Sequence, residues 1–305
     1  MTPPGTGPHR GRNRSRIRSR IRRSARLSLV PLCAAALLLS GCSSGSDGPK
    51  KEGGGTGSGT TRAAEQPKEK RSTPAPDPAA YRRWGLDKPL APPPAPPATR
   101  LTEHHKGGTP QIVRRVPTKD KVVFLTFDDG AEKDPAFLRM AKDLKLPFSM
   151  FLTDSAARAG RGYGYFDELR ALGNGVHNHT LTHPNLRTLS AEAQKREICG
   201  QQETLRKRFG KRPELFRPPY GNYNDATLAA AGSCGVKAVV LWEATMQIND
   251  MRYAEAGKLR PGDIVLAHFR GPAELKGTTM TGMVANMVRS VQRQGFTVAR
   301  LEDYV

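Results

Sequence analysis

The stretch FLTFDDGAEKD, residues 124–134, decides how the rest of this chain is read. It follows Val122 and Val123, so an apolar run ends abruptly on two adjacent acids and a glycine. Such a run predicts a buried strand over 122–127. Asp128 and Asp129 at its end are costly to bury, because each carboxylate resists desolvation and repels the other. Something elsewhere in the chain must compensate. Pro135, directly after this stretch, suits the first turn of a helix over 135–144.

Working outward, the same alternation repeats through 119–305. Strands are predicted over 122–127, 148–152, 175–178, 238–241, 264–267 and 297–301. Helices are predicted over 135–144, 166–172, 191–209, 224–231 and 281–294, with Ser190 placed to cap the longest. Strand–helix alternation argues for a parallel α/β architecture, open or closed into a barrel. Asp128, Asp129, His179 and His268 then fall where strands end, and in such folds sites lie at the C-terminal strand ends.

Upstream, the composition changes twice. The 305-residue chain has a formal charge of +21, but +9 of it sits in residues 1–42, which hold nine Arg and no acid. Only +6 belongs to residues 119–305, so the basic balance gives no reason to expect a nucleic-acid partner. An Arg-rich stretch, then LSLVPLCAAALLL at 27–39, reads as a targeting segment, since an apolar run of 13 residues is too short to span a bilayer. Leu39-Ser40-Gly41-Cys42 resembles the lipobox of bacterial lipoproteins. This implies a signal peptide over 1–41, lipid on Cys42, and a protein held at the outer face of the cytoplasmic membrane; an ordinary secretory signal is the alternative. Residues 42–118, rich in Gly, Ser and Pro (APPPAPPA at 91–98), read as a disordered linker with too little apolar surface to offset ordering entropy.

Within the domain, HNHTLTHPN places His179 and His183 four apart. On one helical turn or a tight loop the two imidazoles point the same way. Two imidazoles and one carboxylate make a three-ligand set that leaves a divalent ion, zinc above all, an open position. Such an ion compensates Asp128 and Asp129: one acid ligates, and the other stays free as a base, its pKa lowered by nearby positive charge. In FRPPYGNYN, two prolines stiffen the turn between Arg217, which can pair with a carboxylate, and Tyr220, whose amide can stabilise an oxyanion. GDIVLAHFR ends a buried strand on His268, a proton donor by position. Cys199 and Cys234 bracket the RPPY turn and are expected to be bridged, two separate buried thiols being the alternative.

TFDDG (126–130), HTLTHP (179–184), FRPPYG (216–221) and LAH (266–268) occur in that order. Together they resemble the successive motifs of the polysaccharide deacetylases, the NodB-homology domain of carbohydrate esterase family four, over the whole of 119–305. The resemblance implies a distorted (β/α) barrel and metal-dependent removal of acetyl groups from a polysaccharide. It implies Asp129, His179 and His183 as ligands, with zinc most usual and cobalt, manganese or nickel also accepted. It further implies Asp128 as general base, Arg217 as its partner, the Tyr220 amide at the oxyanion, and His268 as the acid that protonates the leaving amine. One family feature is missing: an Asp-Trp pair after the third motif. LWEATMQINDMRY offers only Asp250, followed by Met251, as the residue that tunes the acid, and Trp242 reads as core. His177 reads as an accessory residue.

The leading expectation is a lipid-anchored, monomeric de-N-acetylase acting on peptidoglycan or a chitin-like polymer. An O-acetyl esterase on xylan-like polymers is the alternative within the class, and a catalytically silent wall-binding lipoprotein the alternative outside it.

Overall fold

The structure, a computed structural model, describes residues 77–104, 108–255 and 257–305. The expected signal peptide, Cys42 and the first part of the expected linker lie outside the described residues.

Strands β1 (Gln111–Val113), β2 (Val122–Asp129), β3 (Ser149–Leu152), β4 (Gly175–Asn178) and β5 (Leu215–Phe216) are followed by β6 (Ala238–Val240), β7 (Ala244–Met246), β8 (Met251–Tyr253), β9 (Ile264–His268) and β10 (Thr297–Val298). They form one sheet in the order β1-β6-β5-β4-β3-β2-β9-β7-β8, with β10 on the first residues of β2. Every pairing is parallel except β7 with β8. The sheet curls into a distorted barrel that its end strands do not close. Below the gap, Arg115 bridges Asp263 and the Val116 amide donates to the Gly262 carbonyl at 2.9 Å, so the segment after β1 crosses the floor. Helices α1 (Pro78–Arg83), α2 (Pro135–Leu144), α3 (Asp154–Ala157), α4 (Gly164–Ala171), α5 (Ala191–Phe209), α6 (Asp225–Ser233) and α7 (Met280–Arg293) complete the fold.

The two faces of β2 explain the architecture. Val123, Leu125 and Phe127 point outward into a core shared with Phe137 of α2, Phe166 of α4 and Met283 of α7. Phe127 alone sits 5.2–5.5 Å from the rings of Phe137, Phe148 and Phe269. Burial of each such side chain contributes about 1.5–3 kcal/mol. Val122 and Phe124 point inward with Phe151, Leu215, Val240, Ile264 and Tyr304. The period of two then makes Thr126 and Asp128 the next inward residues, above that apolar floor. The opening stretch thus supplies a strand, a turn and a helix start: Asp134 accepts from the Ala136 amide at 2.7 Å, with Pro135 at the first helical position. Ser190 caps α5 through the Ala193 amide at 3.3 Å, and Gly210 at φ 79° ends it.

Residues 77–104 and 108–118 depart from the expected disordered linker. Tyr81, Leu86 and Leu90 are buried, and Trp84 packs beside them. The Tyr81 hydroxyl donates to the Leu144 carbonyl, and Arg83 and the Trp84 indole both donate to Asp143. Past α1, Arg289 and Gln292 of α7 donate to the carbonyls of Gly85 and Lys88 at 2.8 Å. A few large apolar residues suffice here, because prolines have already lost much of the freedom that folding would remove. Among the described residues no helix is long and apolar enough to cross a membrane.

Candidate active site

Arg217 follows β5 and is fully buried. Its Nη1 donates to Asp128 Oδ1 at 2.6 Å and to the Thr126 hydroxyl at 2.9 Å. Its Nε and Nη2 donate to the carbonyls of Val240 and Leu241, and its guanidinium lies 4.2 Å from the centre of the Phe151 ring. The guanidinium therefore fills the upper barrel interior and satisfies one oxygen of the buried acid. Burial pushes Asp128 above the usual carboxylate range, and the opposing charges of Arg217 and His268 do not offset it. Desolvation is the larger effect at so buried a position. A carboxylate so raised is a better proton acceptor.

Asp129 has a different environment. It takes φ 71°, which turns its carboxylate away from Asp128's row, and Gly130 continues the turn at φ 81°. A Cβ on Gly130 would lie 2.8 Å from the Phe166 ring, so only glycine fits there. Asp129 Oδ1 is buried and accepts no hydrogen bond, yet it lies 3.6 Å from His179 Nε2 and 3.4 Å from His183 Nε2. The ligand atoms of Asp129, His179 and His183 all fall within 4.8 Å of one another. His179 follows β4 and gives its Nδ1 proton to the Arg217 carbonyl at 2.7 Å, which leaves Nε2 unprotonated. Burial pushes its pKa down to about 3, so the ring is neutral at physiological pH. An orphaned carboxylate oxygen facing two imidazoles, one with its second nitrogen fixed, fits a divalent ion; the donor set suits zinc, cobalt, nickel or manganese.

Of the two backbone readings for the histidine pair, the loop is the one found. Thr180 and His183 take φ 73° and 60°, and the His183 amide donates to the Thr180 hydroxyl at 3.0 Å. Among the described residues six non-glycine residues have positive φ, and Asp129, Thr180, His183 and Tyr220 are four of them. Strain of about 1–3 kcal/mol each is thus concentrated around one centre. The Cys199–Cys234 disulfide joins α5 to the end of α6. From α5, Asn178 is held through the Ile198 carbonyl and Gln202.

Asp128, Asp129, His179, His183, Tyr220 and His268 line one cleft of about 390 Å³ at the C-terminal strand ends. Strand register places His268 directly opposite Asp128. Tyr220 is 62% exposed, its ring 4.8 Å from that of His183. Asp250 is not among them. The turn between β7 and β8 carries it outward, where its Oδ2 lies 3.7 Å from Arg252, so it does not tune His268. The residue that touches His268 is Arg270, whose Nη2 donates to Nδ1 at 3.4 Å. Trp242 is also not simply core: it lines the cleft beside Tyr220. Its position just after β6, at a C-terminal strand end, is the signal that marks it. His177 faces the barrel interior below His179 and pairs with Glu302 at 2.7 Å, away from the cleft.

Residues 115–239 match the family model for polysaccharide deacetylase. An uncharacterized protein of Streptomyces coelicolor is 43% identical over 198 residues, which cover 64% of this chain and 78% of that protein. A peptidoglycan-N-acetylglucosamine deacetylase of Bacillus cereus is 27% identical, with 64% of this chain and 95% of that one covered. Among solved structures, a pseudoenzyme of carbohydrate esterase family four from Bacillus anthracis has a TM-score of 0.52 at 20% identity, covering 64% of this chain and 69% of that one. The fold therefore occurs with and without activity, and side chains decide between the two. With its motifs assembled at one pole of the barrel, the chain belongs to the polysaccharide deacetylases of carbohydrate esterase family four, hydrolases that remove acetyl groups from polysaccharides.

Proposed function

We propose that this protein is a metal-dependent deacetylase that removes N-acetyl groups from an N-acetylglucosamine-containing wall or extracellular polysaccharide, with zinc as the first-choice ion. One observation carries the reading: of two adjacent acids, Asp128 is clamped by Arg217, while Asp129 leaves a buried oxygen unpartnered before two histidines. Asp129, His179 and His183 would hold the ion. When bound, it supplies Lewis-acid chemistry, polarising an amide carbonyl and making water a nucleophile at neutral pH.

The protein's own groups divide the proton transfers. Asp128, with Oδ1 held by Arg217, takes the proton of the attacking water on Oδ2. Arg217 keeps that carboxylate from turning and supports its charge before the proton arrives and again once Asp128 has released it to solvent after product leaves. The Tyr220 amide, on a turn stiffened by Pro218 and Pro219, stabilises charge on the former carbonyl oxygen. His268 accepts from Arg270 on Nδ1, so its ring proton sits on Nε2, from which it reaches the leaving nitrogen.

Peptidoglycan is the preferred substrate, supported by the lipobox pattern ending on Cys42 and by the activity named for the Bacillus cereus relative. Export, lipid on Cys42 and residence at the outer membrane face belong to this proposal. Its test is acetate release from N-acetylglucosamine oligomers and peptidoglycan fragments by chelator-stripped protein, before and after Zn²⁺ is restored. Recovery of acetate release only with metal is expected. Acetate release equal with and without metal would remove the metal, and acetate only from O-acetylated xylan would remove the N-acetyl assignment.

A further inference from the structure

Asp129 and His179 belong to strands that do not touch. In the sheet β3 lies between β2, which ends on Asp129, and β4, which His179 follows. Neighbouring strands are about 4.8 Å apart, so β2 and β4 are separated by about twice that, and no hydrogen bond spans the gap. The direct route from the acid to the histidine loop therefore runs through whatever ends β3.

Thr153 ends it, and is buried. Its amide donates to the Asp129 carbonyl at 3.1 Å, and its hydroxyl donates to the His179 carbonyl at 2.9 Å. The second bond departs from what this position ordinarily does. Thr153 is the N-cap of α3, where a threonine oxygen commonly accepts from an amide of its own first turn, and here it makes no such bond. The first amides of α3 turn the same way: those of Asp154 and Ser155 donate to the carbonyls of Thr180 and Leu181 at 3.2 and 2.9 Å. Three consecutive residues, 153–155, thus hold three consecutive carbonyls, 179–181. The helix forgoes a side-chain cap, and the histidine loop is fastened instead.

A second tie lies behind this corner. Lys133 is buried, and its Nζ donates to the Ala156 carbonyl in α3 at 2.6 Å and to the Ala131 carbonyl, two residues past Asp129, at 3.3 Å. Residues 153–156 are therefore clipped to the acid's turn on one side and to the histidine loop on the other. Asp129, Thr180 and His183 all take positive φ, and strained backbone of this kind keeps its shape only where its surroundings over-determine it. Neither Thr153 nor Lys133 lines the cleft, so neither is placed to touch a substrate.

Resting on the metal-dependent reading above, we propose that Thr153 is a positioning residue of the metal site, one that fixes the spacing of Asp129 and His179 before an ion arrives, with Lys133 bracing the corner. An ion then binds ligands already gathered, and does not have to order the loop that carries two of them.

The test uses the full-length protein, stripped with chelator. It reads the Kd for Zn²⁺ in competition with a chromophoric chelator, the visible absorption of the Co²⁺-loaded protein, and the denaturant midpoint of the stripped protein. T153V keeps the shape and the amide but loses the hydroxyl. It is expected to raise the Zn²⁺ Kd about tenfold or more and to alter the Co²⁺ absorption. T153S, which retains the hydroxyl, should restore most of the affinity, and K133M should raise the Kd by a smaller factor than T153V. A lowered midpoint with unchanged Kd and absorption in T153V makes Thr153 a structural residue only and overturns this inference alone. T153S binding Zn²⁺ as weakly as T153V does the same, since the methyl and not the hydroxyl would then matter. Should T153V not fold, K133M decides: an unchanged Kd there overturns the clip, and a raised one supports it. No Zn²⁺ bound by the unaltered protein overturns the metal-dependent reading as well.

Discussion

His177 and His179 lie two residues apart, both buried and both turned into the barrel, yet they belong to opposite ends of its interior. His177 looks down onto the floor, where residues 301–305 pack under β2 and Tyr304 meets Phe124 edge-on at 4.9 Å. There it faces one carboxylate: Glu302 Oε1 lies 2.7 Å from Nε2 and also accepts from the Ser149 hydroxyl at 2.6 Å. A Cβ on Gly175 would overlap Glu302, so the strand is cut back to admit it. His179 looks up, and is given a carbonyl on one nitrogen and a shared, unpaired acid oxygen on the other. The lower end satisfies one oxygen of Glu302 and leaves Oε2 and His177 Nδ1 buried without partners, but it brings no second imidazole to that acid: among the described residues the ligand atoms that converge are those of Asp129, His179 and His183. The upper end clamps one acid and withholds partners from the next, which is what a site reserved for another component requires.

The comparison breaks most sharply at Asp128. D128N retains the hydrogen bond from Arg217 but cannot take a proton, and acetate release is expected to fall by about 10²–10⁴-fold with metal binding retained. A smaller loss, measured at saturating metal, would move the base elsewhere.

Next is Arg217, which joins stability to chemistry. R217Q leaves Asp128 buried without its counter-charge, and a denaturant titration is expected to show a loss of about 3–5 kcal/mol. A loss near zero would mean that water reaches Asp128. Replacing both Cys199 and Cys234 by serine opens a loop with a sequence separation of 35. Chain entropy puts the stability lost at up to about 4 kcal/mol, with metal affinity falling as the 179–183 loop loosens.

The smallest effect belongs to the lower end. Burial opposes ionisation of Glu302, but the hydrogen bonds and charge of His177 and Ser149 hold it below the usual range. A depressed carboxyl pKa contributes stability above its unfolded value, and loses it as pH falls through the folded one. E302Q is therefore expected to cost about 1–3 kcal/mol at pH 7, with the gap to the unaltered protein narrowing below about pH 4.3 and kcat unchanged. A lowered kcat would couple the two ends.

Much of this was legible from residues because long apolar runs impose their own geometry. β2, β3, β4 and β9 and helices α2, α5 and α7 lie within about two residues of where periodicity puts them. The ligand pair and the acids were legible for a related reason, since an apolar strand ending on Asp128-Asp129 presents a desolvation problem that few partners solve. β1, β5, β7 and β8 have two or three residues each, too few to show a period of two. Asp250 was misplaced because spacing along the chain does not reveal which way a hairpin turns. Arg270 and Trp242 were missed for the converse reason: each lies just beyond a strand whose end is evident, but neither residue type is diagnostic without its neighbours.

The packed segment ahead of β1 has a mechanical consequence. Tension applied through the chain that precedes Asp77 enters at α1, not at the sheet. It is met in series by contacts to α2, by the bonds from α7 to Gly85 and Lys88, and by the Thr297 hydroxyl on the Ala91 carbonyl. These attachments yield one at a time along some fifteen residues before load reaches β1. The segment therefore acts as a strain relief, letting the domain be tugged from its N-terminal side while β2 and the acids at its end keep their positions.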